Sequence, residues 1–219
     1  MEEYIVENLS VSNVVKIVDY MSDVIIENEV YFCELDSIAG DGDFGMSVAK
    51  GFKVLKNEWE ELPKEDIGAF LKACGMIITE HCGGASGPIW GSAFRSAAKY
   101  AKGKTELNLK EIAELFQCAV EGIQKRGGAK LGDKTLLDAL IPATESLKLS
   151  AEKGEPFVEA ARNSAEEAVK GAEKTKEMIA SKGRATYVGE RSINFPDAGA
   201  TAIGVIFNEV IQKFKAEEA

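Results

Sequence analysis

From Ser12 to Phe214, apolar residues recur at steps of three and four, and this period governs what the chain can fold into. Val14, Ile17/Val18, Met21 and Val24/Ile25 draw one apolar stripe, and Val48, Phe52, Leu55 and Trp59 draw the next. Ile67, Phe70/Leu71, Cys74 and Ile77/Ile78 predict a third helix, and Trp90, Phe94, Ala97/Ala98 and Ala101 a fourth. Asn108 with Glu111 has the form of a capping box at the head of a fifth, which runs through Ile112, Leu115/Phe116, Ala119 and Ile123. A sixth starts near Asp133 and carries Leu136/Leu137, Leu140/Ile141 and Leu147. Pro142 lies inside it and predicts a kink or a split. The seventh, from Pro156, is alanine-rich, and the last follows Asp197 through Ile203, Ile206, Val210 and Phe214. Alternating runs of strand type are nearly absent. The expected fold is all-α: eight helices in an antiparallel up-and-down bundle or barrel, forming one domain over residues 1–219.

A chain of 219 residues can bury a full core. Its net charge of −10 argues against nucleic acid and against a polybasic membrane anchor as partners, and no run is long enough to span a bilayer. The opening "MEEYIVENLSVSN" is acidic where a secretory leader is basic. Cys33, Cys74, Cys82 and Cys118 show no CxxC spacing and read as reduced thiols, so the expected location is cytoplasmic. A zinc site from Cys74, His81 and Cys82 is the weaker reading of that segment, helix packing the stronger.

Glycine is placed unevenly. It gathers in "GDGDFG" (40–45), "CGGASG" (82–87), "RGGAKLGDKT" (126–135), "SKGRATYVGERS" (181–192) and "PDAGAT" (196–201). In an up-and-down bundle, alternate connections share an end, and each of these five falls where an odd-numbered helix finishes. They therefore meet at one pole, while "LPKED" and "KGKTELN" read as ordinary turns at the other. Glycines let backbone N–H groups approach an anion, and several of these segments open into a helix. Ser47, Ser86, Thr135 and Thr201 add hydroxyls, and Arg184 adds a guanidinium.

The first segment also concentrates Asp36, Asp41 and Asp43 around a short loop. Three carboxylates repel unless a cation or hydrogen-bond donors offset them, so the loop is either a solvated cap or a metal site. At a phosphate-binding pole the metal reading is the stronger, and an all-oxygen donor set suits Mg²⁺. The spacing is not that of an EF-hand. "GAKLGDKT" misses the P-loop pattern because Asp133 intrudes before Lys134 and no strand precedes it.

Taken in order, "GDGDFG", "GGASGP", "GDKTLLDALIPA", "GRATYVGERS" and "DAGAT" resemble the motifs of the ADP-binding subunit of dihydroxyacetone kinase, the DhaL family, from about Ser12 to Phe214. The resemblance implies an eight-helix barrel with the nucleotide at one end. It implies that Asp36, Asp41 and Asp43 hold two Mg²⁺ ions that bridge the phosphates of ADP or ATP. Matching nucleotide positions are Phe44, Gly45, Met46, Ser47, Ala85, Ser86, Gly127, Leu136, Arg184, Asp197, Ala198 and Gly199. Ser47 and Ser86 are expected on phosphate oxygens, Leu136 against adenine and Arg184 on phosphate charge.

The activity implied is phosphoryl transfer to dihydroxyacetone, or a related short ketose or polyol, held on a separate substrate-binding subunit. In some members a phosphoenolpyruvate-dependent phosphocarrier protein recharges the bound ADP; in others ATP exchanges. The resemblance leaves a homodimer open. Two departures stand out: Phe44 replaces the family's histidine, and Ala198 its proline. Phe44 keeps open a second reading, a non-catalytic Mg-ADP-binding regulatory module that acts through protein contacts. His81, the one histidine, reads as structural.

Overall fold

The computed structural model describes the backbone of residues 8–218 and the side chains of residues 8–214. The acidic stretch 1–7, read above for a leader, lies outside the described residues. Nine α-helices fill the described part: α1 (Val11–Glu27), α2 (Glu29–Ala39), α3 (Phe44–Asn57), α4 (Ile67–His81), α5 (Ser86–Tyr100), α6 (Leu109–Gly127), α7 (Leu137–Lys153), α8 (Phe157–Lys174) and α9 (Ala198–Glu218). Each of α3 to α9 packs against its neighbours in sequence, and α1 packs against both α9 and α3, so the contacts form a closed circuit. The all-α expectation therefore holds.

Two local expectations do not. The first helix ends at Glu27 as its stripe predicts, but a helix not expected from the sequence follows it: Asn28, whose side-chain amide folds back to donate to the Val24 carbonyl, separates the two. The chain restarts at once as α2, which places Asp36 in the last helical turn rather than in a loop. Pro142, in contrast, neither splits nor ends its helix: α7 runs through it from Leu137. Proline leaves the Asp138 carbonyl without its usual i+4 donor. That oxygen faces Gly171 of α8, where a Cβ would lie 2.2 Å from it, so the two helices meet closely at the point the proline has altered.

The two ends of the bundle are built differently. At one end, Ser10 and Asn13 form a capping box on α1, and Asn108 and Glu111 form the expected one on α6. The residues just before these helices pair as two short antiparallel strands, β1 (Asn8–Ser10) and β2 (Glu106–Asn108), with Leu9 opposite Leu107. Asp66 caps α4, accepting from Ala69 N–H at 2.9 Å and from Gly103 N–H at 3.2 Å. At the other end, α3 and α5 begin with no side-chain cap.

Between the ends lies the core, with Phe52 edge-on to Trp90 and Trp59 edge-on to Phe70. Burying such rings contributes about 1.5–3 kcal/mol apiece. The centre is not completely filled: an apolar cavity of about 250 Å³ is lined by Trp90, Phe94, Phe116, Leu140, Ile206 and Phe214 among others. Among the described residues, no helix is long and apolar enough to cross a membrane.

Candidate nucleotide and metal site

Direct contacts join the five glycine-rich segments at the end where α3 and α5 begin. Gly83 N–H donates to the Ser47 carbonyl at 3.0 Å, and a Cβ on Gly83 would sit 2.7 Å from Ser47 Oγ, so the second segment lies on the start of α3. Arg184 Nη1 reaches Asp41 Oδ2 at 2.8 Å, tying the fourth segment to the first. Ser181 donates to Asp133 through backbone (3.2 Å) and hydroxyl (2.7 Å), which ties the fourth to the third. A Cβ on Gly199 would meet Leu136 at 3.3 Å, and one on Gly127 would meet Ile89 of α5 at 2.9 Å. These contacts bring in Leu136, Gly199 and Gly127 along with Asp41, Ser47 and Arg184.

Asp36, Asp41 and Asp43 form the one group of potential metal ligands among the described residues, each offering an oxygen within 4.8 Å of the other two. Cys74, His81 and Cys82 do not form another. Cys74 and Cys82 are buried, and burial pushes their thiols up to about 12 and about 11, so they stay protonated. Asp36 organises the loop. Its Oδ2 accepts from the N–H groups of Gly42 (2.9 Å), Asp43 (3.1 Å) and Phe44 (3.3 Å), which wraps the chain around the carboxylate and hands α3 its first hydrogen bond.

Burial raises the Asp36 pKa, the three N–H groups pull it back, and the neighbouring Asp41 charge raises it again. Its other oxygen lies against Gly40, where a Cβ would stand 2.1 Å from Oδ1, so any larger residue here must displace that carboxylate. Gly42, at φ +76°, makes the turn that aims Asp41 and Asp43. The donor set is hard oxygen throughout and fits a divalent cation such as Mg²⁺.

Other expected residues have structural tasks as well. Phe44 stacks obliquely on Phe32 with centroids 6.2 Å apart, so this ring serves packing. Asp197 caps α9, accepting from Ala200 N–H at 2.7 Å. Burial pushes its carboxyl up to about 7, with Asp138 and Asp36 adding to the rise and the Ala200 N–H and Lys134 opposing it. Ala198 opens α9 and is buried. Met46 and Ala85 are exposed at the starts of their helices, and Ser86 is half-buried at the head of α5.

Two residues that sequence reasoning passed over support the same end. Asp138, buried in the first turn of α7, accepts from Gly132 N–H (2.6 Å) and Thr135 N–H (2.7 Å) and so braces the turn between them. Lys134 is buried and donates to four backbone carbonyls: Thr175 (2.7 Å), Met178 (3.1 Å), Ser192 (2.7 Å) and Phe195 (2.8 Å). Its side chain was visible in the sequence only as part of a failed P-loop match.

Comparison with known proteins bears on the family and the fold. The DAK2 domain matches residues 38–212. The ADP-binding subunit DhaL of the PEP-dependent dihydroxyacetone kinase of Escherichia coli (strain K12) is 37% identical over 199 residues, which cover 90% of this chain and 93% of that protein. The L-erythrulose kinase of Pectobacterium atrosepticum is 32% identical over 86% of this chain, which spans only 32% of that longer protein. The dihydroxyacetone kinase of C. freundii, solved in complex with AMP-PNP and Mg²⁺, superposes with a TM-score of 0.73 over 92% of this chain and 34% of that chain; at 24% identity the likeness is one of fold. On the match to the DAK2 domain and the identity to DhaL, the chain belongs to the DhaL-like family of dihydroxyacetone kinase subunits.

Proposed function

We propose that residues 1–219 form a single nucleotide-binding domain that serves as the ADP/ATP-carrying subunit of a dihydroxyacetone-kinase-type phosphotransferase. The observation that carries this reading is the meeting of three carboxylates with the start of α3, on which the glycine segment that leads into α5 is laid. Helix starts attract anions, whereas clustered carboxylates repel them, so the pair makes sense together when a cation joins carboxylate to phosphate.

In this reading Asp36, Asp41 and Asp43 hold two Mg²⁺ ions, which supply charge neutralisation to the nucleotide phosphates. Backbone N–H groups and hydroxyls of Phe44, Gly45, Met46, Ser47, Ala85 and Ser86 orient the phosphates, and Arg184 swings between Asp41 and phosphate oxygen. Leu136 and Gly127 flank the base, and Asp197, Ala198 and Gly199 close the far side. The terminal phosphoryl group passes to a hydroxyl of dihydroxyacetone or a related short ketose bound on a separate substrate-binding subunit. The erythrulose kinase among the relatives supports that wider ketose class. The PEP-dependent relative supports recharging of bound ADP by a phosphoenolpyruvate-dependent phosphocarrier rather than exchange for ATP.

Titration calorimetry with ADP, with and without Mg²⁺, tests the site. Binding that needs both is expected, and no binding with both present sinks the reading. Transfer assays with the substrate subunit, driven by phosphocarriers or by ATP, separate the two recharging routes. Tight Mg-ADP binding with no transfer by either route would favour a regulatory module instead.

A further inference from the structure

Segment 175–195 crosses the nucleotide end between α8 and α9, and its interior carries little regular structure. It holds a 3₁₀ stretch, Arg184–Ser192, interrupted at Gly189. Its base, however, is closed tightly. Asn194 N–H donates to the Lys176 carbonyl at 2.8 Å, and Asp197 N–H donates to Thr175 Oγ1 at 2.8 Å. Between these lies the Lys134 ammonium, which takes two carbonyls from the beginning of the segment (Thr175, Met178) and two from its end (Ser192, Phe195). Three N–H bonds are thus shared among four oxygens at 2.7–3.1 Å. Lys134 reaches this position from a left-handed backbone conformation, φ +60°, which is unusual for a residue with a long side chain. A buried ammonium and a strained backbone persist together only where the surroundings fix them.

We propose that Lys134 is a positioning residue for the nucleotide end: by clasping both ends of segment 175–195 it sets Arg184 over Asp41. This rests on the reading of that end as a Mg-nucleotide site. The hydrogen bonds of the Lys134 ammonium all go to backbone carbonyls and none to Asp36, Asp41 or Asp43, so Arg184 carries its effect to the metal end. Methionine has a similar unbranched length but no donors, so Lys134→Met would leave four carbonyl oxygens competing for water and free the segment at its base.

The test has two arms. In nucleotide-free protein, hydrogen exchange of the amides in 176–195 should quicken by about tenfold or more in K134M, with α4 and α5 amides unchanged. Unchanged exchange in 176–195 overturns the proposal. In the second arm, Mg-ADP affinity is measured for K134M, R184A and the double variant well below their melting temperatures. Each single change should weaken binding by about tenfold, and the double variant should be no weaker than R184A alone, because contributions routed through one side chain do not add. Penalties that multiply, or K134M affinity equal to wild type, overturn it. If wild type fails to bind Mg-ADP, the site reading falls, and the exchange arm still judges the clasp. Should K134M not fold, K134Q, which retains an amide donor, takes its place and is expected to give an intermediate exchange rate.

Discussion

Asp41→Asn separates the structural and chemical demands on the aspartate loop. The change keeps the side chain's shape and removes one negative charge. Its cost to stability is bounded by what Asp41 holds in the folded protein, the 2.8 Å pair with Arg184. The two side chains are 33% and 68% exposed, so solvent screens the pair and its worth is at most about 1 kcal/mol. For a chain of this length that is a fall in Tm of no more than about 4 °C. Metal binding should suffer far more. A unit charge about 4 Å away across an effective dielectric near 20 contributes about 4 kcal/mol per unit of cation charge, or about 8 kcal/mol with Mg²⁺. The asparagine oxygen still coordinates and, with solvent screening, returns more than half of this, which leaves a loss on the order of 3 kcal/mol, or about a hundredfold in affinity. Calorimetry with Mg²⁺ and ADP, beside a thermal melt monitored by helical circular dichroism, reads both quantities. Mg-ADP affinity within about threefold of wild type, or a Tm lower by more than about 10 °C, would refute the separation of charge from scaffold.

Three further outcomes are expected. Gly40→Ala places a Cβ 2.1 Å from Asp36 Oδ1 and must displace that carboxylate, so Mg-dependent ADP binding should fall by about tenfold or more in calorimetry while α4–α6 retain their exchange protection. Asp66→Ala removes the cap of α4 at the opposite end and should cost about 1 kcal/mol in urea denaturation, with nucleotide affinity unchanged. Asp197→Asn keeps a cap oxygen for Ala200. Because burial lifts the folded carboxyl to about 7, above its unfolded value, the folded state holds a proton that the unfolded state releases as pH rises. Wild type therefore loses stability between about pH 4 and pH 7, and the Tm advantage of D197N should grow over that window and level off above it; an advantage constant with pH would contradict the assignment.

Most helices were legible because each buries one face and therefore repeats its apolar residues at helical spacing, as Val48, Phe52 and Leu55 do. The break at Asn28 was not, because its signal is a single amide folding back on Val24 between two glutamates, with no glycine or proline to mark it. Pro142 misled in the opposite direction: whether a proline breaks a helix depends on what faces the carbonyl it deprives, and Gly171 lies thirty or so residues away in another helix. β1 and β2, three residues each, are too short to show alternation. The aspartate cluster and the glycine segments could be read because clustered carboxylates and close backbone approach each demand particular residue types. Lys134 could not. Its partners are backbone carbonyls, which every residue type supplies, so no pattern in the sequence announces them.

The finishing of the bundle's ends sets where an anion can add to the fold. Side-chain caps on α1, α4 and α6 and a strand pair close one end, whereas at the mouth Asp197 caps α9 and the N-cap residues of α3 and α5 give those helices no side-chain bond. On the proposed reading a diphosphate seated there would add acceptors to those two starts, and local order would become part of the same equilibrium as occupancy. A ligand held in that way would be less a visitor than a prosthetic group.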